Sequence, residues 1–248
     1  MTKRIIACLD ITNNQVVKGT QFKKLKPVGN IEQLAYKYYK EGADELVLLN
    51  ISKTKITTIS KILSVLTQKV FIPIIFGGNI QTIEEVKQLF TAGIDKVCLN
   101  STLYYKPQLV KEIIEIYGSQ SLIASIDVKL KANKWLVYID GGKKNTHITA
   151  SAWVKKTTHR GVGEILLTSI DHDGKTNGYN IKLIQKITNT THLPIIASGG
   201  MGAATDIITL FKNTNAAGAL IASYLHIKRN SLKSLKTTLN KTLKIRNE

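Results

Sequence analysis

The chain has 248 residues, 43% of them hydrophobic, and a mean hydropathy near zero, which excludes a disordered polymer and leaves room for one barrel or two small domains. Lys and Arg outnumber Asp and Glu by 35 to 17, a net charge of +18 that would suit a polyanionic partner. The lysines are spread along the whole chain among abundant Ile, Asn and Thr, residues with mostly A/T-rich codons, so the excess reads as compositional, with a smaller share left for attracting an anionic substrate.

The first residues, Met1 to Ile6, lead into an apolar run that meets Asp10 too early for a signal peptide, and no run approaches the ~18 residues of a membrane span. A cytoplasmic protein is expected, with neither nucleic acid nor membrane as a partner. Eight β-branched or aliphatic runs then follow in order: Arg4–Asp10, Glu45–Asn50, Pro73–Gly77, Lys96–Asn100, Leu122–Val128, Glu164–Thr168, Pro194–Ala197 and Ala219–Ala222. Amphipathic stretches of helical length lie between them, among them Ile31–Lys40, Ile83–Thr91, Pro107–Tyr117 and Ile181–Thr188, with Thr82 and Asn180 as N-caps. The last segment, Ser231–Lys244, sets Leu232, Leu235, Leu239 and Leu243 on one face with lysines elsewhere, as an outer helix packed on the barrel would. Cys8 and Cys98 fall inside strand runs and read as reduced core thiols. His147, His159, His172, His192 and His226 show no ligand spacing with them, so neither metal nor cofactor is expected.

The chain repeats itself at an offset of roughly 120 residues. Ile6-Ala7-Cys8-Leu9-Asp10 matches Ile123-Ala124-Ser125-Ile126-Asp127, and Ile72-Pro73-Ile74-Ile75-Phe76-Gly77-Gly78 matches Leu193-Pro194-Ile195-Ile196-Ala197-Ser198-Gly199-Gly200. Asp44 to Leu49 likewise echoes Gly163 to Thr168. Two half-barrels of four βα units explain this better than an open sheet. The expected fold is therefore α/β, a (β/α)8 TIM barrel with internal half-barrel duplication, forming one domain over residues 1–248.

In such a barrel the site lies at the C-terminal ends of the strands. Asp10 and Asp127 close the first and fifth runs, on opposite sides of the mouth, and can divide acid and base roles if their surroundings separate their pKa values. Either one alone is also compatible with capping a helix or holding a loop. Gly77-Gly78 and Gly199-Gly200 each precede a helix whose free N–H groups can hold a phosphate. Asn100-Ser101 and Ala222-Ser223 can complete these cradles, and a pair of cradles implies a substrate with a phosphate at each end. A glycine pair by itself is a weak motif that also marks an ordinary turn. The loop from Thr168 to Gly174, with Asp173, adds hydroxyls and carboxylates. At the opposite strand ends Arg4, Glu45, Lys96 and Glu164 open four runs. They are either exposed charges or an inward salt-bridged layer, and the latter suggests a gate, because buried ion pairs are seldom kept for stability.

These residues resemble the cyclase subunit of imidazole glycerol phosphate synthase, of histidine biosynthesis. The resemblance spans essentially the whole chain and is most specific at Lys3 to Asp10, Val16 to Thr20, Gly142-Lys143-Lys144-Asn145-Thr146, Gly163 to Gly174 and Ile195 to Gly200. It implies that ammonia from a separate glutaminase subunit, docked on the barrel floor as a heterodimer, crosses the barrel. At the mouth the ammonia would convert a bisphosphorylated ribulosyl-formimino aminoimidazole carboxamide nucleotide into imidazole glycerol phosphate and aminoimidazole carboxamide ribotide. It further implies Asp10 and Asp127 as the acid/base pair, and Arg4, Glu45, Lys96 and Glu164 as the ammonia gate. Lys18 would lie on a mobile loop that closes over the substrate. Gly78, Asn79, Asn100, Ser101, Thr168, Asp173, Gly174, Gly199, Gly200, Ala222 and Ser223 would contact that substrate. Asp127 is taken as the acid, a choice the sequence does not force.

Two residues depart from the family pattern: Asn50 stands where Asp is usual, and Asn79 replaces the third glycine of a GGG turn. Both are expected to weaken substrate affinity. Two rival readings remain: the sister phosphoribosylformimino isomerase, which needs no ammonia port, and a non-catalytic basic binding protein on a barrel scaffold. The four gate residues and the Gly-Lys-Lys-Asn-Thr loop favour the cyclase over the first. The second calls for a lysine stripe with interleaved aromatics, which the sequence lacks.

Overall fold

The computed structural model describes residues 2–12, 15–20, 23–52, 54–226 and 231–246. Among the described residues twelve strands are numbered in chain order, and eight of them close a parallel barrel. These are β1 (Arg4–Thr12), β4 (Glu45–Asn50), β5 (Ile74–Gly77), β6 (Lys96–Leu99), β7 (Leu122–Lys131), β10 (Glu164–Ser169), β11 (Ile195–Ser198) and β12 (Gly218–Ile221). Each pairs with the next, β12 returns to β1, and the β7–β10 pairing carries the ring past the midpoint of the chain.

Helices between the strands cover the outside. Among them are α1 (Ile31–Lys40), α3 (Ile83–Thr91), α5 (Pro107–Tyr117) and α7 (Ile181–Thr188), with the bounds expected from the sequence. Local chemistry explains their ends. Thr82 and Glu85 form a reciprocal capping box at the start of α3, an arrangement worth about 1 kcal/mol. Asn180 caps α7 by accepting from the Leu183 amide at 3.2 Å, and Pro107 opens α5, where no N–H is needed.

Two apolar layers result. One fills the space between strands and helices and includes Leu9, Leu48, Phe76 and Trp153. The other fills the bore, where Ile6, Val47, Ile75, Ile123, Leu166 and Ile196 meet the two free thiols Cys8 and Cys98. Burial pushes both thiols up, that of Cys98 to about 12, so they are protonated core residues.

Several strand ends differ from expectation. Pro73 and Pro194 stand just before β5 and β11 rather than in them, because proline cannot donate to a ladder. Their carbonyls still accept from Leu46 and Ile165 at 2.9 and 3.0 Å. β1 and β7 overrun Asp10 and Val128 because each folds back into a hairpin above the mouth. β1 pairs with β2 (Gln15–Thr20), which pairs with β3 (Lys23–Asn30); β7 pairs with β8 (Lys134–Ile139), which pairs with β9 (Lys144–Thr149). The β7–β8 turn is made by Ala132 and Asn133, both at positive φ (+46° and +58°), the tight two-residue form that suits strand twist.

The last helix, α10 (Leu232–Asn240), buries Leu232, Leu235 and Leu239 as anticipated, but Lys236 is buried with them. Its ammonium donates to the Gly42 carbonyl at 2.7 Å and pairs with Asp44 at 3.0 Å, and Asp44 in turn accepts from the Ile5 amide at 2.6 Å. Among the described residues no helix is long and apolar enough to cross a membrane.

Candidate active site

The parallel register brings Asp10 beside Leu49 of β4 and Asp127 beside Thr168 of β10, with both carboxylates at the mouth. Their surroundings differ. Asp10 accepts from the ammonium of Lys18 at 2.9 Å, and the same ammonium stands 3.6 Å from Asp173. Lys18 lies in β2, not in a loop, and is only 8% exposed. Burial opposes its charge, and Asp10 and Asp173 beside it outweigh that, so its pKa is raised and the ammonium is kept.

Among the described residues no cation is paired with Asp127. Burial pushes its carboxyl up to about 7, helped by the negative charges of Asp173 and Asp10. Hydrogen bonds from Thr168 and from the Asn100 amide, at 3.1 Å, act the other way. One carboxylate is thus ion-paired, while the other holds its proton near neutral pH.

The glycine turns sit where expected, and the structure shows why they need glycine. Gly78 (φ +98°) presses on the end of β4, where a Cβ would meet the Asn50 carbonyl at 2.1 Å. Gly200 (φ +109°) presses on Gly178 in the same way, at 2.0 Å, and Gly199 (φ +93°) on the Ser169 carbonyl at 2.7 Å. Gly174 packs against the backbone of Gly19 and Thr20, tying the loop after β10 to the hairpin after β1. Asn100 and Ser101 lead into α4 (Ser101–Tyr105), and Ala222 and Ser223 into α9 (Ser223–His226), at the strands flanking each glycine turn. Asn79 follows Gly78 in the first of these turns. Its backbone takes the left-handed conformation (φ +59°) and its amide turns to the Ser52 carbonyl.

At the floor the four charged residues form a closed ring. The Arg4 guanidinium donates to Glu45 at 2.8 Å and to Glu164, while the Lys96 ammonium donates to Glu164 at 2.9 Å and lies 3.9 Å from Glu45. Beneath it opens a pocket of about 510 Å³ lined by Arg4, Lys96 and Glu164 together with Gln120 and Arg246. Among the described residues no group of three or more His, Cys, Asp or Glu is arranged to hold a metal ion.

Sequence reasoning missed one support. His226 is buried below Asp10, its Nε2 donating to the Cys8 carbonyl at 2.7 Å and its Nδ1 accepting from the Tyr38 hydroxyl at 2.8 Å. Burial lowers its pKa, so the ring is neutral, as this donor and acceptor pattern requires. A lone histidine carries no spacing signal, and only the fold brings Tyr38 to it.

Comparison with known proteins fits this geometry. The model of the family described as "Histidine biosynthesis protein" matches residues 4–231. Proteins named "Imidazole glycerol phosphate synthase subunit HisF" are similar over nearly the whole chain. That of Natranaerobius thermophilus is 43% identical over 242 residues, covering 97% of this chain and 96% of the relative. That of Dehalococcoides mccartyi is 41% identical over 251 residues (100% and 99%), and that of Methanococcus vannielii 39% over 264 residues (97% of each). With a duplicated barrel, two opposed carboxylates at its mouth and this full-length similarity, the chain belongs to the histidine biosynthesis protein family.

Proposed function

We infer that this chain is the cyclase subunit of imidazole glycerol phosphate synthase, acting as one barrel domain over residues 1–248 in the cytoplasm. Ammonia would enter through the floor from a docked glutaminase subunit and react at the mouth with the bisphosphorylated ribulosyl-formimino substrate. The observation that carries this reading is the closed ring of Arg4, Glu45, Lys96 and Glu164 at the strand ends opposite Asp10 and Asp127. An isomerase without a second nitrogen substrate has no use for such a ring, and apolar packing would close the floor at least as well.

In this reading ammonia adds to the ribulosyl ketone and water leaves, giving an imine. Asp10, ion-paired to Lys18, takes up the protons released by the attacking nitrogen. The imine nitrogen, as its enamine tautomer, then closes on the formimino carbon, and the aminoimidazole carboxamide ribotide leaves as an amine. Asp127, which holds a proton near neutral pH, supplies it to that leaving nitrogen. The turns at Gly78-Asn79 and Gly199-Gly200, with Asn100, Ser101, Ala222 and Ser223, take the two phosphates, while Thr168, Asp173 and Gly174 line the space between. The hairpin carrying Lys18 shields the imine from water.

The test is turnover of the bisphosphorylated substrate by the purified chain with an ammonium salt and no glutaminase. Product that scales with free ammonia supports the cyclase. Conversion of the preceding ribosyl isomer without ammonia would instead identify an isomerase.

A further inference from the structure

The two asparagines that depart from the family pattern meet in the structure. Gly77, Gly78 and Asn79 form a turn wedged between the ends of β4 and β6. A Cβ on Gly77 would come within 2.7 Å of the Cys98 carbonyl, and one on Gly78 within 2.1 Å of that of Asn50. Asparagine is one of the few residues other than glycine that hold the left-handed conformation at little cost. At φ +59° Asn79 can therefore keep a path that glycine would take. It also adds a donor, because its Nδ2 gives a hydrogen bond to the Ser52 carbonyl and stands 3.5 Å from that of Asn50.

Asn50 prepares the other side of that bond. Its side chain is buried, and its Oδ1 accepts from the Ser52 amide at 3.3 Å and the Ser52 hydroxyl at 2.8 Å. Its Nδ2 donates to the Thr54 carbonyl at 2.9 Å. The Ser52 and Thr54 hydroxyls lie 2.7 Å apart, and the Thr54 amide donates to Ser52 Oγ at 3.2 Å. Asn50 therefore fixes the carbonyl that Asn79 holds. An aspartate at 50 would keep the contacts to Ser52 but turn an oxygen towards the Thr54 carbonyl, a buried repulsion. A glycine at 79 would leave the Ser52 carbonyl without this donor.

We propose that Asn50 and Asn79 act as one coupled positioning unit that sets the turn Gly77–Asn79 against the end of β4 in a shape that binds a phosphate monoester. Restoring Asp at 50 or Gly at 79 singly then weakens that binding. The proposal rests on the reading of this turn as a phosphate cradle. Among the described residues the turn at Gly199-Gly200 has no such pair, and it serves as a control within the same molecule.

Titration of ¹⁵N-labelled protein with inorganic phosphate reads the two turns separately, through the Gly78 and Gly200 amides. In Asn79→Gly and in Asn50→Asp the apparent Kd at Gly78 should rise about fivefold, the effect of one lost hydrogen bond, while that at Gly200 holds. The double variant should fall well short of the product of the two effects, because both act through the Ser52 carbonyl. The KM for the bisphosphorylated substrate should rise with the Gly78 Kd and kcat change less. Should Asn50→Asp fail to fold, Asn50→Ser carries the same expectation. Single variants within twofold of the parent at Gly78, or effects that multiply, overturn the coupling. A parent Gly78 amide that ignores phosphate overturns the cradle and this proposal together, yet leaves ammonia-dependent turnover intact, so it is distinguishable from failure of the cyclase reading.

Discussion

The two halves of the barrel put an aspartate at the same strand end and then treat it differently. In the first half Asp10 receives a buried ammonium from β2; in the second, Asp127 receives an amide and a hydroxyl, and its carboxyl is pushed up to about 7. Each half adds a hairpin above its aspartate, but among the described residues only the first hairpin sends a cation to the carboxylate. The repeat places a facing pair, and the neighbours give its two members different surroundings, as a division of acid and base roles would need.

The strongest way to break this comparison is to remove each carboxylate in turn. Asp10→Asn and Asp127→Asn should each lower kcat by about 10³-fold or more with the fold retained, measured by ammonia-supported turnover and circular dichroism. Near-normal turnover in either variant would take that residue out of the mechanism. Next in size is the floor, which both halves share. Glu164→Gln removes the charge shared by Arg4 and Lys96 and one of the two acceptors, and should cost about 2 kcal/mol in urea unfolding, below the figure for a fully buried pair because both cations are partly exposed. A loss no larger than for an exposed lysine pair such as Lys111 with Glu115 would show that the ring holds little energy.

The pH dependence sharpens the contrast. The Asp127 carboxyl is raised on folding, so the unfolded chain gives up its proton first and this residue's contribution to stability falls as pH rises from about 4 to about 7. Asp127→Asn removes that penalty and should raise Tm more at pH 8 than at pH 5; an equal gain at both would refute the raised pKa. By the same assignment, kcat/KM at fixed free ammonia should decline above pH 7 as the acid deprotonates. The smallest effect expected is that of Tyr38→Phe, which removes one hydrogen bond to His226 and should cost about 1 kcal/mol with kcat nearly unchanged.

Much of this was legible in the sequence, for physical reasons. Strands buried on both faces read as continuous apolar runs, so the eight barrel strands stood out, and their starting charges marked the floor ring. The helix ends followed from capping chemistry at Thr82, Asn180 and Pro107. The hairpins escaped notice because β2, β3, β8 and β9 mix lysine with apolar residues and face the solvent in part. Lys236 was misread as a surface lysine, since only the fold brings Asp44 beneath it. Asn79 reads in the sequence as a side chain added to a glycine turn, and only the fold shows its left-handed backbone and its amide turned to the Ser52 carbonyl. What separates Asp10 from Asp127 lies in side-chain contacts, Lys18 across the adjoining hairpin for one and Asn100 from the neighbouring strand for the other, and periodicity does not carry those.

The pair between Lys236 and Asp44 bears on how such a barrel can be divided. The lysine comes from the last helix of the second half, and the carboxylate stands at the base of the second strand of the first half. A cut between the halves, near Gly118, would put the ammonium on one fragment and its two acceptors, the Gly42 carbonyl and the Asp44 carboxylate, on the other. Each fragment would carry an incentive to find its counterpart, so co-expressed halves should reassemble rather than persist as independent folds.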